Sequence, residues 1–324
     1  MVAARFLSVG AVLVAVLGAG LGACTVELTN GPTDGGSEGV GDATTSKDGS
    51  LSDGGACEEL RHDPHWTYEE SEMEGPQNWG TLKTKDGGVA FPECASTTKQ
   101  QSPIAIPAPA SASDSGADGG GALTTGPFKL GAELSWSATS TIKSLHHNGH
   151  TWLAGLDRTQ NKLTVGTTPY ELAQFHFHAP AEHAIGGKEY PLEAHFVHVN
   201  PTAGAQPFAA VVGVMFEESE TDNAELAKIW TKFDKCPHET PKDVSGISVD
   251  LNKLLPEKRT YVQYDGSLTT PPCSVAVRFH IILEPIKASK KQIEALTQAV
   301  GRNDRPHQPV LGGTSVSLHA ATPL

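Results

Sequence analysis

The chain is short of positive charge, of cysteine and of long apolar runs, and each shortage excludes something. Only 24 Lys and Arg stand against 37 Asp and Glu, for a formal net charge of −13. No basic cluster or basic helix interrupts that balance, so the electrostatic footprint of a nucleic-acid partner is missing. A spanning helix needs about 20 apolar residues in a row, and the best run, Leu7–Gly20, falls short of that. The five cysteines contain no C-x-x-C spacing, which removes the common zinc-ribbon and dithiol motifs. The helical zinc-protease order H-E-x-x-H is absent as well, and no internal repeat is visible.

What is present begins with an address. Arg5 followed by the apolar run to Gly20 suits a signal h-region. The run ends in Leu21-Gly22-Ala23-Cys24, which resembles a bacterial lipobox, so residues 1–23 are expected to be removed and Cys24 to be lipidated. Residues 24–56 are Gly, Ser, Thr and Asp with hardly any apolar side chains. Such a segment buries too little surface to offset its ordering entropy and reads as a disordered tether. The folded part is expected at 57–324, with a second low-complexity stretch, Ala108–Gly121, read as a loop insertion. The expected location is therefore exported, on a lipid anchor in a bacterial envelope, with membrane contact through Cys24 only.

With Cys24 assigned to lipid, Cys57, Cys94, Cys236 and Cys273 remain. An even count in an exported chain suggests two disulfides, with three connectivities open. Short apolar-alternating runs punctuated by Gly, Asn, Pro and Asp follow the insertion: Ser140–Leu145, Thr151–Leu156, Lys162–Val165, Tyr170–Phe177, Leu192–Val199, Ala209–Phe216, Arg259–Tyr264 and Val275–Leu283. Two helices are expected. Asp222–Lys235 has Leu226, Ile229, Trp230 and Phe233 at helical spacing. Ser289–Val300 opens with Ser289 and Gln292 as a capping box and stops at Gly301. Many strands with two short helices make a β-dominated α+β domain.

The chemistry centres on Gln174-Phe175-His176-Phe177-His178. On a strand, Gln174, His176 and His178 share one face. A pair of histidines alone is weak evidence, because 14 histidines in 324 residues make chance pairs common. The second half lies in Glu193-Ala194-His195-Phe196-Val197-His198, where Glu193, His195 and Val197 share a face and His198 takes the other. Three imidazoles leave one position open for water, as a catalytic zinc site requires. Gln174 and Glu193 can accept the far N–H of a ligand ring.

Those two motifs, with Glu182-His183 between them and Gly266-Ser267-Leu268-Thr269-Thr270-Pro271-Pro272 after them, resemble the α-class carbonic anhydrases in order and approximate spacing. Asn148-Gly149-His150, Gln101-Ser102-Pro103-Ile104 and the His65-Trp66-x-Tyr68 opening fit the same pattern. The resemblance implies a central, largely antiparallel, twisted sheet of ten strands with short flanking helices. It implies Zn2+ held by His176, His178 and His195, and reversible hydration of CO2 to bicarbonate and a proton by zinc-bound hydroxide. That acidification of bound water is established for carbonic anhydrases generally. It implies Thr269 and Glu182 as the pair that orients the hydroxide, and His150 as the proton shuttle. Tyr68 and Asn148 match residues that order the intervening water, Asn303 matches one whose backbone supports a ligand ring, and Val197, Val211, Leu268, Thr270 and Phe279 match the substrate pocket.

Three positions depart from the family. Phe279 stands where Trp is usual, Val275 where an acid is usual, and Leu153 replaces a polar residue of the water network. Bacterial members pair a Cys before the Gln-Ser-Pro motif with one after Thr-Thr-Pro-Pro, which implies Cys94–Cys273. With that pair assigned by resemblance, Cys57–Cys236 is the expected second bridge. The family also implies cis bonds before Pro103 and Pro272. A catalytically silent binding module is the alternative from another class, and loss of a ligand histidine would favour it. A zinc hydrolase for larger substrates is weaker still. Oligomeric state stays open between monomer and dimer.

Overall fold

The computed structural model describes residues 57, 60, 63–108, 124–125 and 134–319. The expected leader, Cys24, the tether and all of the insertion except Ala108 lie outside the described residues. No helix among the described residues is long and apolar enough to cross a membrane.

Among the described residues one sheet dominates. Its first strands are β1 (Thr124–Thr125), β2 (Leu134–Ser135), β3 (Ser140–His147), β4 (Trp152–Leu156) and β5 (Lys162–Val165). The centre is built from β6 (Thr168–His178), β7 (Leu192–Val199) and β8 (Ala209–Ser219), followed by α1 (Ala224–Trp230). Then come β9 (Lys242–Asp243), β10 (Ser248–Val249), β11 (Tyr261–Ser267), β12 (Val275–Ser289), α2 (Lys290–Val300) and β13 (Ser317–His319). Ten of these strands form one path, β1-β13-β11-β12-β8-β7-β6-β4-β3-β10, while β2, β5 and β9 pair off it. The pairs β1/β13 and β8/β12 are parallel and the rest antiparallel. The ten-strand path matches the expected architecture, and the side strands are too short to be read from periodicity.

Alternation divides the core between the two faces of the sheet. Phe175 and Phe177 of β6, Phe196 of β7 and Val212, Val214 and Phe216 of β8 pack on one face, where Trp136, Trp152 and the helices cover them. Val197, Val211, Met215, Tyr264, Val277, Phe279 and Ile281 pack on the other. A third cluster joins Trp66, Tyr68, Trp79, Phe91 and Cys273, so the opening segment is irregular coil held by aromatic contacts.

Two elements differ from expectation for local reasons. Helix α1 covers half of Asp222–Lys235. Asn223 caps it by accepting from the Glu225 and Leu226 amides, and after Trp230 the chain turns so that Phe233 stacks on Trp152 at 4.8 Å. Strand β12 runs on to Ser289 past Pro285, through a register shift between Ile282 and Ile286. Pro285 has no N–H for a ladder, and a bulge is where a strand tolerates that. Helix α2 has the expected capping box, and Gly301 follows it at φ 75°. Disulfides join Cys57 to Cys236 and Cys94 to Cys273, an arrangement that fits an oxidising compartment. Ser102-Pro103 and Pro271-Pro272 are cis, as are three further X-Pro bonds among the described residues.

Several histidines are structural. His198 takes the Trp136 Nε1–H at 3.1 Å and gives Nδ1–H to the Phe196 carbonyl at 3.0 Å. Burial lowers its pKa to about 3, and burial lowers His280 to about 3 and His147 to about 4. Unfolding restores each to its ordinary value near 6.5, so the unfolded chain binds more protons below that pH. The stability these neutral rings contribute is full above about pH 6.5 and is lost as pH falls toward about 3. Urea midpoints of the metal-free protein should therefore show an acid loss that is smaller in a His280→Phe variant; an unchanged acid slope in that variant would contradict the assignment.

Candidate metal centre

The register of β6 against β7 builds the site. Leu172 lies opposite His198, but Gln174 lies opposite Val197, so one residue of β6, Ala173, is bulged out between them. The bulge shifts alternation by one position. Leu172 and Phe175 therefore both face the aromatic core, although they are three residues apart. Beyond the bulge, Gln174, His176 and His178 lie opposite Val197, His195 and Glu193. Next along the sheet, His195 lies opposite Gly213 and Val197 opposite Val211 of β8.

His176, His178 and His195 are buried and bring their ligand atoms within 4.8 Å of one another, close enough to hold a metal ion. Each ring has its other nitrogen committed. Gln174 Oε1 lies 2.8 Å from His176 Nδ1, the Asn303 carbonyl 2.7 Å from His178 Nδ1, and Glu193 Oε1 2.8 Å from His195 Nε2. Such acceptors fix the tautomer, leaving Nε2 of His176 and His178 and Nδ1 of His195 for a common point. His178 Nε2 is buried without a hydrogen-bond partner, as a nitrogen awaiting a metal would be. Burial holds His176 well below its ordinary pKa and His178 down to about 4, so both rings are neutral, with lone pairs available at neutral pH. The residues fit a metal ion.

Behind the rings lies a buried polar frame. Burial raises the Glu193 carboxyl, but His183 and His195 outweigh it and hold the group well below the usual carboxylate range. Its four acceptor positions are filled by His195 Nε2 at 2.8 Å, His183 Nδ1 at 2.9 Å and the backbone N–H groups of Glu182 and His183, each at 2.9 Å. The Tyr264 hydroxyl extends the chain, 2.7 Å from His183 Nε2 and 3.0 Å from Ser102 Oγ. Glu182 is pushed up to about 7 by burial, against the pull of His195 and of a hydrogen bond from Thr269. Its Oε1 accepts the Arg305 N–H at 3.1 Å.

His176, His195, Thr269 and Thr270 share one recess with Val197, Val211, Leu268 and Phe279. Its volume is about 420 Å3, the open mouth included. The sequence-predicted pocket residues are thus brought together. His178, Gln174, Glu182 and Glu193 stand behind them. His150 is on the turn between β3 and β4, its ring stacked on Trp66 at 3.8 Å, with Tyr68 edge-on at 6.2 Å. Asn148 closes that turn by accepting from the His150 and Thr151 amides at 3.0 and 2.9 Å. Leu153 lies opposite His176 on β4, and Val275 opposite Ser267. Phe279 stacks on Tyr264 at 5.0 Å and meets the edge of His195 at 5.9 Å.

Sequence reasoning missed several contributors. Phe208, Ala209 and Val277 complete the recess wall; Ala209 and Val277 were signalled only by strand alternation with Val211 and Phe279, and Phe208, just before β8, by no alternation at all. Arg305 is 2 % exposed. Its guanidinium donates to Gln101 Oε1, the Ser102 carbonyl and the Cys94 carbonyl at 3.1, 2.7 and 3.1 Å, and lies 5.5 Å from the Trp79 ring. Gly213 was missed too. A Cβ there would lie 2.9 Å from Glu193 Oε1 and 2.6 Å from Ile281 Cδ1. Ile281 can swing aside, but Glu193 is fixed by its four hydrogen bonds.

Comparison with known proteins agrees with this geometry. The family model for eukaryotic-type carbonic anhydrases matches residues 74–313. A carbonic anhydrase of Klebsiella pneumoniae is 38% identical over 258 residues, 76% of this chain and 89% of that protein. One of Neisseria gonorrhoeae is 34% identical over 247 residues, 76% of this chain and 85% of that protein. The α-carbonic anhydrase of Thermovibrio ammonificans, solved with the inhibitor sulfanilamide, superposes with a TM-score of 0.63 at 34% identity, covering 78% of this chain and 98% of that one.

Displacing Glu193 disturbs the orientation of His195, and outer-shell changes of this kind weaken metal binding by about 10–100-fold. Gly213→Ala should therefore lose affinity in a chelator competition by that order while remaining folded by circular dichroism. Wild-type affinity in the variant would contradict the role given to the missing Cβ.

Proposed function

The chain belongs to the eukaryotic-type, or α-class, carbonic anhydrase family, and from that premise we propose that it hydrates CO2 reversibly to bicarbonate and a proton, with Zn2+ held by His176, His178 and His195. The observation that supports this best is the set of three buried imidazoles with their far nitrogens committed, opening on an apolar recess. Zinc bound there supplies Lewis-acid chemistry, lowering the pKa of a water in its open position, a property established for carbonic anhydrases rather than derived from this chain. Three neutral ligands suit that purpose, because they leave the ion's charge undiminished.

The chain's own residues do the rest. Thr269 gives its hydroxyl hydrogen to Glu182, so its oxygen can only accept, and it orients whichever nucleophile donates to it. The Arg305 N–H on Oε1 of Glu182 keeps that carboxylate turned toward Thr269. Val197, Val211, Leu268 and Phe279 offer CO2 an apolar wall without competing hydrogen-bond donors. His150 accepts the proton and passes it to buffer, a relay suited to an imidazole near neutral pH. Tyr68 and the Asn148 amide border its turn and order the water between. Residues 1–23 act as a leader, Cys24 as the lipidated anchor and residues 24–56 as the tether, which places the domain 57–324 outside the cytoplasm.

Stopped-flow CO2 hydration tests the reading. Zinc-loaded protein should exceed the buffer rate, chelation should abolish the excess, and His178→Ala should lose it by about 100-fold or more. A zinc-loaded wild type with no activity above buffer would favour a silent binding module instead.

Leu153 beside His176 puts an apolar side chain where the family has a polar one, which interrupts the water path and makes turnover depend on buffer. Leu153→Gln should raise kcat in dilute buffer by about 2–5-fold and matter less in concentrated buffer. No change in dilute buffer would defeat this explanation.

A further inference from the structure

We infer that the side-chain amide of Asn303 clamps the His150 turn onto the strand that bears His176 and His178, which makes Asn303 a positioning residue for proton transfer as well as a backbone support for His178. The inference rests on the reading of His150 as the proton acceptor. Asn303 is fully buried. Its Nδ2 donates one hydrogen to the His150 carbonyl at 2.8 Å and the other to the Phe177 carbonyl at 2.9 Å. Its Oδ1 accepts the Ala179 N–H at 2.7 Å, and its own carbonyl accepts from His178 Nδ1 at 2.7 Å. The partners fix the orientation of the amide: turned over, it would set an oxygen against two carbonyls and an NH2 against an N–H.

Three of the four bonds converge on a short stretch, and the fourth reaches out to His150. Phe177 lies between two ligand histidines and Ala179 follows the second. Thr151 makes a second clip to the same residue, donating to the Phe177 carbonyl at 2.5 Å and accepting its N–H at 3.2 Å. The turn that bears His150 is thus attached to the metal strand twice at its C-terminal side, directly through Thr151 Oγ1 and, from the His150 carbonyl, through the Asn303 amide. Gly149 gives the turn its positive φ of 87°, with Pro237 packed beneath it. On the outer side His150 rests on Trp66. Of these contacts, Asn303 alone also touches a ligand ring, so it is the one among them that joins the His150 backbone to a ligand histidine.

Asn303→Ala removes the amide and keeps the carbonyl that His178 uses. In the full chain, kcat in dilute buffer should fall at least about threefold further than kcat/KM, and imidazole should narrow that gap. In a His150→Ala background the same substitution should add nothing to the gap. Independently of activity, hydrogen exchange of the metal-free protein should quicken at the amides of residues 150, 151 and 179. If Asn303→Ala does not fold, Asn303→Ser replaces it, with the same split expected. Equal falls in kcat and kcat/KM without imidazole rescue, or wild-type exchange at those amides, would overturn the clamp. Absence of CO2 hydration in the wild type would remove the functional reading, and the exchange measurement would then decide the clamp alone.

Discussion

Everything at the metal centre depends on one bulged residue, Ala173. Before it, β6 sends Leu172 into the aromatic core opposite His198; after it, the same strand sends Phe175 into that core and His176 away from it. Without the shift, strict alternation would place Gln174, His176 and His178 on the face of Phe196 and Trp136, with three polar side chains against rings and no partner for them. The bulge lets one strand serve a fully apolar core on one face and a polar constellation on the other. Phe175 and Phe177 anchor that phase, since expelling either from the core would lose the burial of a large aromatic side chain.

Register alone would leave a cluster of buried polar groups, which is costly unless each is partnered. The frame around the histidines meets that cost group by group. Glu193 is the hub, with its four acceptor positions filled and Gly213 vacating the space its carboxylate needs. Arg305 plays a similar part on the other flank, joining the Gln101-Ser102 segment, the Cys94 carbonyl and Glu182 through one side chain and its own N–H. The nitrogen left without a hydrogen bond, His178 Nε2, 3.5 Å from Glu182 Oε2, points to what completes the site. The Cys94–Cys273 bridge ties the Thr269-Thr270 turn to that same flank.

The strands and the three histidines were legible because their signals are local: alternation, turn residues and motifs whose order matched a family. The bulge was visible only as a phase slip, Tyr170 and Leu172 against Phe175 and Phe177, and a run of apolar residues hides such a slip. Gly213 reads as one more small residue in Ala209–Phe216 until its neighbours on β7 are known. Arg305 and the Asn303 amide act across separations of more than 100 residues, which no window along the chain can connect. Helix α1 was overextended because Phe233 keeps helical spacing while serving the core from a turn. Helix α2 was read well because its capping box and its glycine stop are both contiguous.

The account turns on three imidazole nitrogens converging on one metal with an open position. Zinc K-edge absorption of the reconstituted protein measures that directly. It should show one zinc per chain with three imidazole ligands and one further light atom, tetrahedral. Sulfur in the first shell, six oxygen neighbours, or a spectrum unchanged in His195→Ala would contradict it.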